Sequence, residues 1–239
     1  MPLASPTVTA PNGPAARAAS AAPSRAIREF YTALHASLGS QHWWPAESLF
    51  EVIVGAILTQ NTTWTNVERA IANLRRERLL DPPALARISL PRLERLVRSS
   101  GYYRQKARKL KAFVRFLNAE FAGSLTRMFR SPTTVLREQL LALHGIGPET
   151  ADSILLYAGN HPVFVIDAYT RRILARHGLT AADAGYDQAQ ALFHLHLPRE
   201  TPLFNQYHAL LVETGKRWCR PHEPRCAQCP LSRFLERAP

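Results

Sequence analysis

The stretch L-H-G-I-G-P-E-T-A occupies residues 143 to 151, and Asp167 follows sixteen residues after its end. Gly145 and Gly147 can adopt positive φ and keep side chains away from an approaching molecule. Pro148 is tolerated in the first turn of a helix, whose unpaired N–H groups and dipole attract phosphate. An ordinary turn between two helices also uses such glycines. We interpret 143–151 as a phosphate-binding hairpin and Asp167 as the candidate functional carboxylate.

The chain has 239 residues, of which 46% are apolar, and this content is enough for one sizeable core or two small lobes. Thirty basic residues against 18 acidic ones give a net charge of +12, which favours a polyanionic partner. Between residues 95 and 115 there are eight basic residues and no acidic one, interleaved with aromatic residues. This segment is typical of a DNA-facing surface, and the alternative is a solvated helix face.

Apolar residues recur at helical spacing from residue 27 onward, so the sequence predicts an all-α protein of about ten short helices. A polar cap followed by proline marks helix starts at Asp81, Ser89 and Ser131. Residues 163–166 resemble a strand but lack a partner, and we interpret them as a buried extended connector that ends at Asp167. Further helices are predicted at about 102–120, 148–158, 168–177, 186–195 and 203–218.

Residues 1–25 are rich in Ala, Pro and Ser, and the sequence predicts a disordered tail before a domain at 26–239. A transit peptide is the alternative interpretation of this tail. No apolar run approaches the ~18 residues that span a bilayer, and the N-terminus lacks a compact signal core. We therefore expect a cytoplasmic protein with no membrane partner, associated with the nucleoid if it is bacterial.

Residues 143–167 resemble the helix-hairpin-helix and Gly/Pro-aspartate (HhH-GPD) motif of base-excision DNA glycosylases. The segments 50–62 and 101–107 are similar to the core helix and the wedge loop of the endonuclease III branch, and the similarity extends from about residue 27 to 230. The resemblance implies two α-helical lobes with a lesion pocket between them. One lobe spans about 46–158 with the hairpin, and the other comprises about 26–45 plus 159–239 with a cysteine loop at 219–229.

In that family the aspartate that corresponds to Asp167 is catalytic. A carboxylate near the sugar stabilises the positive charge that develops during cleavage of an N-glycosidic bond and orients the attacking water. Capping the helix that begins at Ala168 is the structural alternative, and both roles are compatible. Bifunctional members carry a lysine where this chain has Glu149, and the lysine forms a Schiff base. Glutamate cannot do so, which implies a monofunctional enzyme without efficient strand cleavage.

Among members that lack this lysine, the chain is most similar to the 3-methyladenine DNA glycosylase III group. The similarity lies in Trp43-Trp44-Pro45, in residues 59–62 followed by Trp64, and in the hairpin glycines with Glu149. Indole faces suit an alkylated purine with cationic character. We expect Trp44 and Trp64 to line the pocket together with Glu149 and Lys216. Lys216 is the amine that we would examine first for residual lyase chemistry.

DNA glycosylases extrude the target nucleotide, and a side chain then fills the gap in the base stack. The resemblance assigns this insertion to Gln60 and to Tyr102 or Tyr103, although buried tyrosines remain the alternative. The full set of predicted DNA-contacting residues comprises Gln60, Tyr102, Tyr103, Arg104, Lys106, Gly145, Gly147 and Thr150.

Cys219, Cys226 and Cys229 resemble three quarters of the family's iron–sulfur loop. The position expected for a fourth cysteine holds Leu235, and the chain has no further cysteine. A [4Fe–4S] cluster would therefore need another ligand, such as His222 or Glu236, or an open iron. Zinc bound by the three cysteines and His222, or an empty loop, are the alternatives. We favour a cluster or its remnant over disulfides, because intracellular thiols stay reduced.

The leading functional hypothesis is a monofunctional glycosylase that removes an alkylated purine from damaged double-stranded DNA. An oxidised-pyrimidine glycosylase of endonuclease III type, with or without weak lyase activity, is the alternative within the enzyme class. A DNA-binding protein without catalysis is the alternative from a different class, and an intact Asp167 argues against it. We expect the protein to act as a monomer.

Overall fold

The computed structural model describes the backbone of residues 14–41 and 46–235. Within these ranges the chain forms helices and turns and no strand, which confirms the all-α prediction. Helices predicted from about 102, 148, 168, 186 and 203 begin within two residues of those positions. The helices are α1 Pro14–Leu38, α2 Leu49–Leu58, α3 Trp64–Arg76, α4 Pro82–Arg87, α5 Leu90–Leu96, α6 Tyr103–Phe121, α7 Leu125–Met128, α8 Thr133–Leu141, α9 Pro148–Ser153, α10 Ala168–Arg176, α11 Tyr186–His196 and α12 Thr201–Arg217.

Helix α1 begins earlier than expected, because the backbone is helical from Pro14. The predicted tail overlaps this helix at residues 14–25, and residues 1–13 lie outside the described part of the chain. Alanine has the highest helix propensity, and alanines dominate residues 15–22. Pro23 opposes this propensity, because a proline inside a helix removes one backbone hydrogen bond.

The predicted helix starts hold at two of three positions. Asp81 caps α4, since its carboxylate accepts a hydrogen bond of 3.0 Å from the Ala84 amide. Ser89 occupies the cap position of α5 without a side-chain bond. The prediction for Ser131 is wrong, because Pro132 has extended backbone (φ −56°, ψ 141°) and itself occupies the cap position of α8. Proline has a fixed φ that suits a cap position as well as the first turn.

The side chains pack around two hydrophobic cores. The first core is formed by residues between Phe50 and Val163, including the nearly fully buried helix α2. The second core combines α1 with residues from Leu156 to Leu231, so both ends of the described chain contribute to it. The two cores interleave at residues 156–163, where a π-helical turn, Ile154–Ala158, continues α9. The hairpin and Asp167 flank this crossover.

Among the described residues, every helix is too short or too polar to cross a bilayer.

Candidate active site

A buried connector delivers Asp167 to the site, as the sequence predicts. Residues 163–166 are buried and irregular, and their backbone groups bond to side chains instead of a partner strand. The amide of Phe164 donates to His194 Nε2 at 3.0 Å, and its carbonyl accepts from Gln190 Nε2 at 2.7 Å. The amide of Ile166 donates to the Tyr186 hydroxyl at 3.2 Å. These side chains satisfy polar groups that burial would otherwise leave without partners.

Asp167 caps α10 through one carboxylate oxygen, and its second oxygen faces His208. Its Oδ1 accepts a 2.7 Å hydrogen bond from the Thr170 amide, which fixes the orientation of the carboxylate. Its Oδ2 lies 3.8 Å from Nε2 of His208, a residue of α12. The side chain is mostly buried but retains 11% exposure. The capping role is therefore present, and it fixes the orientation of the carboxylate.

His208 is a site residue that the sequence interpretation missed. Burial lowers the pKa of its imidazole, and the nearby Asp167 carboxylate opposes this by raising it. The Tyr157 hydroxyl hydrogen-bonds to His208 Nδ1, so Tyr157, His208 and Asp167 form a continuous row. A histidine on an apolar helix face carries no distinctive signal in sequence, since only the fold places it opposite the aspartate.

Glu149 is at the N-terminus of α9 and shares the electrostatic environment of Asp167. Burial among the surrounding protein atoms and, second, the negative charge of Asp167 raise the pKa of its carboxyl to about 7, and Arg171 opposes both effects. The side chain as a whole is nevertheless exposed, so solvent moderates the effect of burial. The carboxyl groups of Glu149 and Asp167 are thus near enough for the charge of Asp167 to raise the pKa of Glu149.

The two hairpin glycines differ in conformation. Gly145 has φ +80° and its Cα faces the Lys109 side chain, so a Cβ at this position would collide with it. Gly147 has φ −94° and ψ 177°, which any residue adopts, so the expectation of positive φ is wrong there. A Cβ on Gly147 would meet nothing within 4 Å. Gly147 instead begins α9 as its cap without a side-chain bond, which leaves the helix amides open to a ligand.

Gln60 joins the end of α2 to the hairpin. Its Nε2 donates to the Thr150 hydroxyl at 2.9 Å and to the Gly145 carbonyl at 3.2 Å, and its Oε1 accepts from Lys109. Thr150, which was predicted to contact DNA, is buried, and its hydroxyl is occupied by the bond from Gln60. Its hydroxyl supports the hairpin from inside, while Gln60 itself is half-buried at the edge of this cluster.

The predicted wedge loop presents one of its two tyrosines. Tyr102 has φ +45° and 67% exposure, which is unusual for a bulky residue. Tyr103 packs against the first core, and the guanidinium groups of Arg98 and Arg104 lie 6.0 Å and 5.8 Å from its ring centre. Tyr102 is therefore the tyrosine that can enter a base stack, and the exposed Arg104 flanks it.

Three lysines of the basic segment, Lys106, Lys109 and Lys111, donate hydrogen bonds to other parts of the protein. Lys106 is 1% exposed and donates to the carbonyls of Leu58 (2.9 Å) and Ser100, so the prediction that it contacts DNA is wrong. Burial lowers its pKa to about 8. Lys111 likewise donates to carbonyls at the end of α4. Ammonium groups satisfy carbonyls that short helices leave without partners, and a count of charges along the chain does not show this.

The other residues predicted to line the pocket, Trp64, Lys216 and Trp44, differ in their exposure and in whether the structure describes them. Trp64 is half-buried at the start of α3 and packs against the first core. Lys216 is exposed in the last turn of α12, 3.9 Å from Glu213. Its neighbour Gly215 lies against Tyr169, two residues after Asp167, so Lys216 is near the start of α10. Trp44 lies outside the described residues.

The three cysteines converge without a complete ligand set. Cys219 and Cys229 are buried. Burial raises the pKa of the Cys229 thiol, and the nearby thiols of Cys219 and Cys226 raise it to a smaller extent. The cavity between them has a volume of about 10 Å³, which is the space of a single water. His222 is exposed, and the described part of the chain contains no group of metal-binding side chains. These residues do not fit a four-thiolate cluster.

Arginines of α10 hold the cysteine loop. Arg176 Nη1 donates to Cys219 Sγ at 3.3 Å and to the Arg220 carbonyl at 2.7 Å, and its Nη2 donates to the Pro221 carbonyl at 3.1 Å. Arg172 Nε donates to the Cys219 carbonyl at 2.6 Å. The loop is thereby attached to the same helix that Asp167 caps.

Comparisons with known proteins agree with this geometry. The family model for HhH-GPD superfamily base excision DNA repair proteins matches residues 54–199. A Methanocaldococcus jannaschii protein named as a DNA repair glycosylase is 43% identical to this chain over 210 residues. The match covers 87% of this chain and 94% of the relative. Endonuclease III of Thermotoga maritima is 32% identical over 187 residues, which cover 78% of this chain and 82% of the enzyme.

Solved structures share the fold. An endonuclease III trapped as a covalent intermediate with DNA matches with a TM-score of 0.76 and 21% identity, over 89% of this chain and 95% of that one. The H. pylori 3-methyladenine DNA glycosylase MagIII, bound to 1,N6-ethenoadenine, matches with a TM-score of 0.70 and 28% identity, over 82% of this chain and 97% of that one. The chain therefore belongs to the HhH-GPD superfamily of base excision DNA repair proteins, in its endonuclease III branch.

Proposed function

We propose that this DNA glycosylase is monofunctional and hydrolyses the N-glycosidic bond of an alkylated purine in duplex DNA. The observation that carries the proposal is the pair of carboxyl groups, Asp167 and Glu149, in a site where a lyase requires an amine. Asp167 stabilises the oxocarbenium-like sugar and orients water, because its Oδ1 is fixed by the Thr170 amide. Base release then leaves an abasic site with both strands intact.

The choice of an alkylated purine follows from the chemistry of the leaving group. A cationic purine leaves readily, so a site without a strong general acid is sufficient to release it. His208 is held by burial in its neutral form, and it offers little acid strength. The similarity to the H. pylori enzyme bound to an ethenoadenine supports a purine pocket. Trp44 and Trp64 are the proposed stacking surfaces.

The proposed DNA contacts use the exposed hairpin and the wedge loop. Phosphate binds at the amides that follow Gly147, and Tyr102 enters the stack beside the extruded nucleotide. Gln60, just after α2, holds the hairpin through its bonds to Thr150 and the Gly145 carbonyl. An oxidised-pyrimidine activity is the second candidate, and the similarity to endonuclease III of T. maritima favours it.

A panel of duplexes tests the proposal. Each duplex carries one lesion (3-methyladenine, 7-methylguanine, 1,N6-ethenoadenine or thymine glycol), and base release is measured separately from strand nicking. We expect release of at least one alkylated purine without nicking until alkali is added. Release of thymine glycol alone would support the second candidate, and binding without release of any base would support a non-catalytic protein.

A further inference from the structure

Asp152 is a fully buried carboxylate in α9, the second helix of the hairpin. Arg137 of α8 binds it through two hydrogen bonds, Nε to Oδ1 at 2.7 Å and Nη2 to Oδ2 at 3.2 Å. Tyr186 and Gln190 of α11 each donate to Oδ2, at 2.9 Å and 2.7 Å. Asp152 therefore accepts four hydrogen bonds from two other helices.

The two donors from α11 also hold the connector that ends at Asp167. Gln190 Nε2 bonds both to Asp152 and to the carbonyl of Phe164, each at 2.7 Å. The Tyr186 hydroxyl donates to Asp152 and accepts from the amide of Ile166. Tyr186 therefore connects Asp152 to the amide of Ile166, and Gln190 connects it to the carbonyl of Phe164. Both backbone groups belong to the segment that positions the catalytic carboxylate.

A buried charge of this kind is costly unless every partner is in place, and its removal leaves its donors without acceptors. The ion pair with Arg137 offsets the negative charge of Asp152. The α11 donors add something different, because they orient a connector that has no strand partner. The network links the first core, through α8 and α9, to the second, through α11.

We propose that Asp152 is a positioning residue that couples the phosphate-binding hairpin to Asp167. When phosphate fixes the start of α9, Asp152 transmits that position through Tyr186 and Gln190 to the connector, and the carboxylate of Asp167 is held at the sugar. The proposal rests on the proposed catalytic role of Asp167. It assigns Asp152 no contact with substrate, and it predicts that the network affects the chemical step more than DNA binding.

The test compares Asp152→Asn, Tyr186→Phe and Gln190→Met with Asp187→Ala as a matched control. Asp187 is an exposed second partner of Arg137, at 3.4 Å, and its replacement leaves the bonds of Asp152, Tyr186 and Gln190 in place. Single-turnover base release is measured on duplex DNA methylated with dimethyl sulfate, well below the melting temperature of each variant. Affinity is measured on a duplex with a tetrahydrofuran abasic analogue. Hydrogen exchange of the Phe164 and Ile166 amides provides a readout that is independent of activity.

We expect the three network variants to lose about tenfold or more in single-turnover rate while their affinity changes less than about twofold, as for an interaction made in the transition state. Connector amides should exchange faster, and Asp187→Ala should behave as wild type. Unchanged rate and exchange in Tyr186→Phe and Gln190→Met would overturn the proposal, even if Asp152→Asn fails to fold. Equal losses of rate and affinity would also overturn it. Full activity of Asp167→Asn would instead refute the proposed function.

Discussion

Asp167 and His208 face each other at 3.8 Å, from the start of α10 and the middle of α12. The carboxylate is held between this imidazole and the Thr170 amide, and Tyr157 bonds to the far side of the imidazole. His208 is buried and neutral by its lowered pKa, so it shapes the site without a full positive charge. The carboxylate is thus fixed in orientation at the start of α10.

Replacement of Asp167 by asparagine should abolish base release and leave the fold intact. Asparagine caps a helix about as well as aspartate, so the Thr170 amide keeps its acceptor. The lost negative charge should reduce the single-turnover rate by at least about 100-fold, the scale seen when one electrostatic catalyst is removed. A thermal melt and a binding assay with an abasic analogue provide the controls. Base release at the wild-type rate would refute the catalytic assignment.

Glu149 should make stability depend on pH near neutrality. Its pKa rises from 4.5 to about 7 on folding, so the folded protein holds a proton that the unfolded chain releases. The contribution of Glu149 is therefore most favourable below about pH 4.5, falls as the pH rises toward 7, and is constant above it. Denaturant titrations of wild type and Glu149→Gln from pH 5 to 8 should show wild type losing stability relative to the variant. A constant difference between them would contradict the raised pKa.

Tyr102 should contribute to DNA processing and little to stability. Its ring is exposed, so Tyr102→Ala should change the melting temperature only slightly. Loss of stacking on a base costs about 1–3 kcal/mol, which corresponds to about 5- to 150-fold in the affinity for lesion DNA. Leu195→Ala is a matched control, because Leu195 is 76% exposed on α11. Equal effects of the two substitutions would argue against insertion of Tyr102.

Arg176 should stabilise the cysteine loop. Arg176→Ala removes donors to the Cys219 sulfur and to the carbonyls of Arg220 and Pro221, so unfolding free energy should fall by about 1–3 kcal/mol. Arg217→Ala, which breaks a surface pair with Glu213, should cost less than about 1 kcal/mol. Urea titrations and an iron assay on anaerobically purified protein check this. Four iron atoms per chain, with no effect of Arg176→Ala, would contradict the account of the loop.

Local patterns predicted the parts of the site that depend on chain neighbours. The hairpin, the connector and the cap at Asp167 depend on residues close in sequence, and all three occur at the expected positions. His208 and Asp152 were missed because only tertiary packing places them beside the connector. Lys106 was misassigned for a related reason, because the carbonyls that accept its hydrogen bonds belong to α2 and to the turn before α6.

If this glycosylase lacks the amine of a lyase, borohydride should find no Schiff base to reduce in a complex with lesion DNA. Wild type and Glu149→Lys are each incubated with lesion duplex and sodium borohydride, and the covalent complex is measured on a denaturing gel. We expect no complex with wild type and a trapped complex with Glu149→Lys, whose amine would lie beside Asp167. Efficient trapping of the wild-type protein would contradict the account, and Lys216→Ala would then identify whether that lysine supplies the amine.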